Sequence, residues 1–150
     1  MYFPQRMCIC STLLALLVAM PLAYGDALAP GLVTPEELKW TTGPTGNPQA
    51  RITGDAAKPG MYMYRSRFPA NYKVQPHFHP DERMGMVVSG TLLVGYGENF
   101  DESRMKVMPP GSIWAEPAGQ PHFVWAKDGE VVIQIVGANG PSGTTQIQSK

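Results

Sequence analysis

An all-β domain of antiparallel strands, closed or sandwiched, is the fold class this sequence predicts, and three observations predict it. From residue 49 onward, brief apolar stretches alternate with clusters of Gly, Pro, Asn and Asp, giving about ten short strands bounded by turn residues. Only one segment carries a helix start signal. Residues 26–150 make up a single domain, long enough to close a modest core and too short for a second. A sheet built from so many short strands must hide its edges and one face, which closure or sandwiching achieves.

Taken in order, residues 1–25 read as a secretory signal peptide. Arg6 precedes the apolar run Leu13–Met20, and Ala23 and Gly25 are the small residues before cleavage after Gly25. Cleavage after Ala29 is the weaker alternative, because Pro30 would follow. The run is too short to span a bilayer and Pro21 interrupts it, so no membrane attachment is expected once the signal is removed. The protein is therefore expected to be exported: periplasmic in a Gram-negative cell, otherwise secreted. Cys8 and Cys10 are the only cysteines, so the exported chain has no disulfide although its compartment would permit one.

Residues 26–48 are a Pro/Gly-rich lead-in with one short N-terminal helix. Thr34 stands as N-cap, Pro35 at the first helical position and Glu37 three after the cap, with the helix running towards Trp40. This segment is expected to lid or brace the barrel domain of residues 49–150. Strands follow at 49–53, 61–68, 73–79, 84–89, 91–96, 104–108, 112–116, 122–126, 131–137 and 144–148. Turns at Asp55–Gly60, Pro69–Asn71, Ser89–Gly90, Gly95–Asn99, Pro109–Gly111 and Lys127–Gly129 separate them. The run Val131–Val136 is apolar nearly throughout, as in a strand covered on both faces. Met61/Met63 and Met84/Met86 each share a strand face, and packing explains them better than copper ligation.

Twelve basic residues face twelve acidic ones, and loss of Arg6 with the signal leaves eleven against twelve. Neither sign forms a run, so nothing resembles a surface that tracks nucleic-acid phosphates. Function must come from elsewhere.

His77, His79 and His122 are the only histidines. In an extended segment His77 and His79 point to one side, since strand side chains alternate with period two. His122 follows the turn-rich Pro117–Pro121 and opens a later strand, which a β-fold can bring opposite the pair. Three imidazoles so gathered suit one divalent transition metal among Fe, Mn, Ni, Zn and Cu, and three protein ligands leave positions open for a reactant.

The two histidine segments resemble the paired motifs of the cupin superfamily. Gly111, Pro117, Gly119 and His122 meet the second, G-x5-P-x-G-x2-H, with Ala126 where the family has a trailing Asn. His77, His79 and Gly90 meet the first, H-x-H-x3,4-E-x6-G, but its acidic slot holds Arg83. Between Thr34 and Gln146 the chain is similar to small, exported, single-domain bacterial cupins. The resemblance implies a conical double-stranded β-helix of jelly-roll type, a mononuclear site for a divalent first-row metal at its mouth, and frequently a homodimer.

An arginine cannot ligate, so an oxygen ligand must come from another residue, and Glu82 and Asp81 stand immediately before the slot, within reach of it by a shift after Pro80. Arg83 itself either clamps a carboxylate of an anionic small-molecule ligand or pairs with Asp81 at the rim. His77, His79, His122 and Glu82 are thus the expected metal ligands, with Arg83 and Glu82 assisting the chemistry by charge or proton transfer. Trp114, Trp125, Phe78, Phe123, Tyr62, Tyr64 and Tyr96 are candidates for the pocket wall, and Val124, beside His122 in sequence, for a neighbour of the metal; Tyr64 or Gln134 would complete the lining. The function expected is that of a metal-dependent small-molecule enzyme with oxygenase, isomerase or hydrolase chemistry. The alternative is a non-catalytic module that binds a ligand or a metal.

Overall fold

The computed structural model describes residues 30–148; the expected signal peptide and its two cysteines lie outside them. Eleven strands appear: β1 (Thr41–Thr42), β2 (Pro48–Thr53), β3 (Gly60–Phe68), β4 (Tyr72–Phe78), β5 (Arg83–Ser89), β6 (Leu92–Tyr96), β7 (Lys106–Met108), β8 (Ile113–Glu116), β9 (His122–Ala126), β10 (Val131–Gly140) and β11 (Thr145–Gln146). All ten expected strands return within three residues of their predicted bounds. The one expected at 104–108 begins only at Lys106, because Asp101 accepts a hydrogen bond from the Ser103 amide and winds Glu102–Arg104 into a 3₁₀ turn.

The expected helix is likewise a single 3₁₀ turn, Pro35–Glu37, where the Glu37 carboxylate takes up the Thr34 N–H. Only the capping signal was present, without the apolar periodicity that would have continued it. The lead-in also supplies β1, two threonines too short to signal a strand, which pairs with β2 at Thr41↔Gln49 and Thr42↔Pro48. Arg67 lies over the Trp40 ring at 4.2 Å, and the Tyr72 hydroxyl donates to Thr45 O at 2.5 Å. Among the described residues no helix is long and apolar enough to cross a membrane.

The strands form two antiparallel sheets, ordered β1-β2-β3-β10-β5-β8 and β11-β4-β9-β6-β7. Inward residues of the first, including Tyr62, Val87, Ile133 and Ile135, pack against Val74, Val94 and Val124 of the second. Alternation makes this possible: on β10, Val131, Ile133 and Ile135 are buried and Val132, Gln134 and Val136 only half so. Three cross-strand pairs set an aromatic ring directly over a glycine, namely Tyr62 over Gly137, Trp114 over Gly85 and Phe123 over Gly95. A methyl group on any of these glycines would collide with the ring, so the absence of a side chain is a packing requirement there.

One irregularity decides where a histidine points. Along β4 and β9 the register steps from Val74↔Val124 to His77↔His122, three residues on one strand against two on the other. Without the extra residue, His77 would face away from Val74. The bulge at Gln75–Pro76 turns both side chains inward, and it accommodates a proline that has no N–H for the ladder.

Candidate metal centre

His77 ends β4 behind its bulge, His79 follows just after the strand, and His122 opens β9 opposite His77. All three are buried. Their ring centroids stand 4.3 to 5.2 Å apart, and one ligand nitrogen from each lies within 4.8 Å of the other two. The rings expected to converge do so.

The other ring nitrogens explain the orientation. Nδ1 of His77 lies 2.8 Å from the Gln75 carbonyl and Nδ1 of His79 2.5 Å from the Gly143 carbonyl. A carbonyl oxygen can only accept, so these nitrogens carry the protons and the Nε2 lone pairs are left free. Nε2 of His79 is buried without a hydrogen-bond partner. At His122 the Nδ1 contact to Gln120 O is 3.3 Å, the same as the distance from its Nε2 to Glu116 Oε1. A proton on that Nε2, or a cation in its place, satisfies the carboxylate. Three buried imidazoles converging on one point, two of them with free Nε2 lone pairs, are a donor set suited to a divalent transition metal, so the residues fit the ion.

Burial is the main reason His77 and His79 resist protonation; it lowers each to about 4, helped by His122 in the first case and by the Arg83 charge in the second. Burial alone would raise the Glu116 carboxyl. Its hydrogen bond with His122 and the charge of Arg83 outweigh that and hold it well below the ordinary carboxylate range.

Arg83 is buried and faces the interior, as do Gly85 and Val87 on the same strand, while Met84 turns out to solvent. Its partner is Glu116 rather than Asp81. Nε and Nη2 donate to Glu116 Oε2 at 2.9 and 2.5 Å, and Nη1 donates to the Tyr64 hydroxyl at 3.1 Å. The rim pairing with Asp81 is therefore corrected: Asp81 is buried and accepts from the Tyr62 hydroxyl at 2.5 Å. Glu82 is exposed, because it alternates with two inward neighbours, and the structure does not bring it to the histidines as the sequence reading expected.

The acid beside the imidazoles is Glu116, which that reading missed. It lies directly across the β5–β8 ladder from Arg83, and the Trp114 indole donates to its Oε1 at 2.8 Å. A signal existed: a lone acid closing the apolar strand Ile113–Glu116, just ahead of the motif proline, with an arginine in the facing slot.

A cavity of about 520 Å³ opens beside the histidines, walled by Tyr62, Tyr64, Phe68, Trp114 and Val124, with Gly143 of the C-terminal segment at its margin. Phe123 and Trp125 lie on the opposite face of β9, where Phe123 packs on Phe100 and Lys73 covers Trp125. Phe78 and Tyr96 do not line the cavity, nor does Gln134, whose amide oxygen accepts from Arg65 Nε at 3.3 Å.

An antiparallel β-barrel with three convergent imidazoles over an interior cavity defines a class of metal-binding β-barrel proteins. The Cupin domain family model matches residues 64–136, which include all three histidines. An oxalate oxidase solved with the substrate analogue glycolate is 28% identical, with a TM-score of 0.50, over 59% of this chain and 46% of its own. This chain thus spans a little under half of that protein's length. The polyketide cyclase RemF from Streptomyces resistomycificus superposes with a TM-score of 0.65 at 15% identity, over 81% of this chain and 88% of its own. A sugar phosphate isomerase from Silicibacter pomeroyi gives 0.56 at 19%, over 77% and 82%. No curated protein matches the sequence significantly. Residues 64–136 are a domain of the cupin superfamily.

Proposed function

We propose that the protein is an exported, metal-dependent enzyme acting on a small anionic molecule. The observation that carries this reading is the convergence of one ring nitrogen from each of three buried histidines, two of them on rings anchored through Nδ1 to backbone carbonyls, beside a cavity of small-molecule size. His77, His79 and His122 would hold one divalent ion. Bound there, it supplies Lewis-acid polarisation of a ligating oxygen, or one-electron chemistry if it is iron, manganese or copper. The protein's own part is to keep His77 and His79 neutral, to surround the reactant with aromatic and aliphatic walls, and to limit water.

Charge favours an anion. Arg83 and Glu116 cancel one another and burial keeps His77 and His79 neutral, so the protein offers no net negative charge to a divalent ion and leaves that charge for the ligand to balance. The oxalate oxidase that resembles this chain was solved with a hydroxycarboxylate, which supports the same ligand class. Export rests on the charge and apolar pattern of residues 1–25, and N-terminal sequencing of the protein from its native host tests it: an intact Met1 rejects it.

The reading is tested by elemental analysis of the protein purified without a histidine tag, alongside His122→Ala. About one equivalent of a transition metal per chain, lost in the variant, is expected; metal in neither form, or in both, contradicts it. Oxygen uptake and turnover of small carboxylates, with Fe, Mn, Ni or Zn restored, then separate enzyme from binder. A loaded protein that binds carboxylates yet turns none over belongs to the non-catalytic alternative.

A further inference from the structure

We propose that Glu116 is the fourth protein ligand of the metal centre, so that the carboxylate reaches the ion from the strand facing the first motif instead of from the first motif itself. This rests on the three-histidine reading and extends it. Arg83 and Glu116 are direct cross-strand partners on the inner face of β5 and β8. Side chains so paired start about 4.5–5.5 Å apart, so exchanging acid and base between the two positions leaves a carboxylate within reach of the same point.

One of the two distances from Glu116 to the imidazoles matches shared coordination, and the other is slightly longer. Glu116 Oε1 lies 3.3 Å from His122 Nε2, and Oε2 lies 3.7 Å from His79 Nε2. Two donor atoms each about 2.1 Å from one cation lie roughly 3.0–3.4 Å apart at the angles of four- to six-coordinate sites. Arg83 occupies Oε2 twice and Trp114 takes one lone pair of Oε1, which leaves Oε1 one lone pair free for an ion. His79 Nε2, which has no partner, belongs to the three-histidine cluster beside it. The lone pair on His79 Nε2 faces the buried Glu116 carboxylate at 3.7 Å, a repulsion that a metal ion shared by the two would relieve.

Cobalt(II) is a suitable probe, titrated into the full chain carrying no tag. Replacing Glu116 alone would strand the buried arginine, so the informative comparison is between Arg83→Gln and the double variant Arg83→Gln/Glu116→Gln. The double variant should bind cobalt about tenfold or more weakly than Arg83→Gln, with matching far-ultraviolet circular dichroism, and Arg83→Glu/Glu116→Gln should recover most of the loss by returning the acid to the opposite strand. Equal affinities for Arg83→Gln and the double glutamine variant would overturn the proposal. Should the glutamine variants fail to fold, Glu116→Asp retracts the carboxylate by one methylene in an otherwise native site; a weakened cobalt affinity supports ligation and an unchanged one overturns it. A wild-type chain that binds no cobalt sinks the three-histidine reading itself, and it is distinguishable because the loss then precedes any substitution.

Discussion

His77 and His79 hold their rings neutral in the fold to about pH 4, whereas in the unfolded chain each takes up a proton near 6.5. Between those values the unfolded state binds more protons than the native one, so acid favours unfolding. Stability is full above about 6.5 and declines as the pH falls towards 4. Glu116 acts in the same direction, since its lowered carboxyl stabilises the fold above the ordinary carboxylate pKa and that contribution is lost as the pH falls below it. For the metal-free protein we predict a urea midpoint that drops steadily from about pH 7 to about pH 4. A midpoint that stays level or rises across that interval would show that these rings are protonated in the native state.

Arg83 shows what a residue list conveys and what it leaves out. Its identity in the acidic slot was legible, but its inward direction was not, because alternation along β5 ties it to the face of Gly85 and Val87 without saying which way that face points. Nor was its partner. Glu116 is thirty-three positions away and meets Arg83 only through the β5–β8 register, and pairing between distant strands cannot be read from periodicity.

Among the elements, β4 and the C-terminal segment do most to build the site. The bulge that directs His77 inward falls at Gln75–Pro76, and simple alternation, which groups His77 with His79, gives no hint that Val74 shares their face. The segment after β10 was legible only as one more strand. In the fold it crosses the cavity margin, pairs β11 with β4 at Thr145↔Phe78 and Gln146↔His77, and presents the Gly143 carbonyl to His79. The Ile147 amide donates to Pro76 O at 2.9 Å, tying the segment to the bulge as well. Groups that orient a ligating imidazole commonly contribute about 10–100-fold to metal affinity. Deleting residues 141–150 should therefore weaken metal binding by about tenfold or more while the circular dichroism of the barrel is kept. Unchanged affinity in a competition titration would mean that His79 needs no such support.

For the whole molecule, the two sheets close a core on one side and leave an outer face on the other. On that face of the six-stranded sheet, Met84 and Ile113 are 55% and 58% exposed on the adjacent strands β5 and β8, with Met86 directly opposite Ile113. Exposed apolar side chains grouped on one sheet face favour association, and we propose a homodimer through this face. Sedimentation equilibrium should give twice the chain mass, with Met84→Glu shifting it to monomer at unchanged metal content. A wild-type monomer at high concentration contradicts this without touching the site.

In the proposed function the barrel holds three imidazoles in place before an ion arrives, and that is the claim on which the chemistry depends. Anomalous diffraction at the absorption edge of the bound metal tests it most directly. The account predicts one peak per chain, roughly 2.0–2.2 Å from the Nε2 atoms of His77, His79 and His122. A peak elsewhere, or one touched by fewer than all three rings, contradicts it.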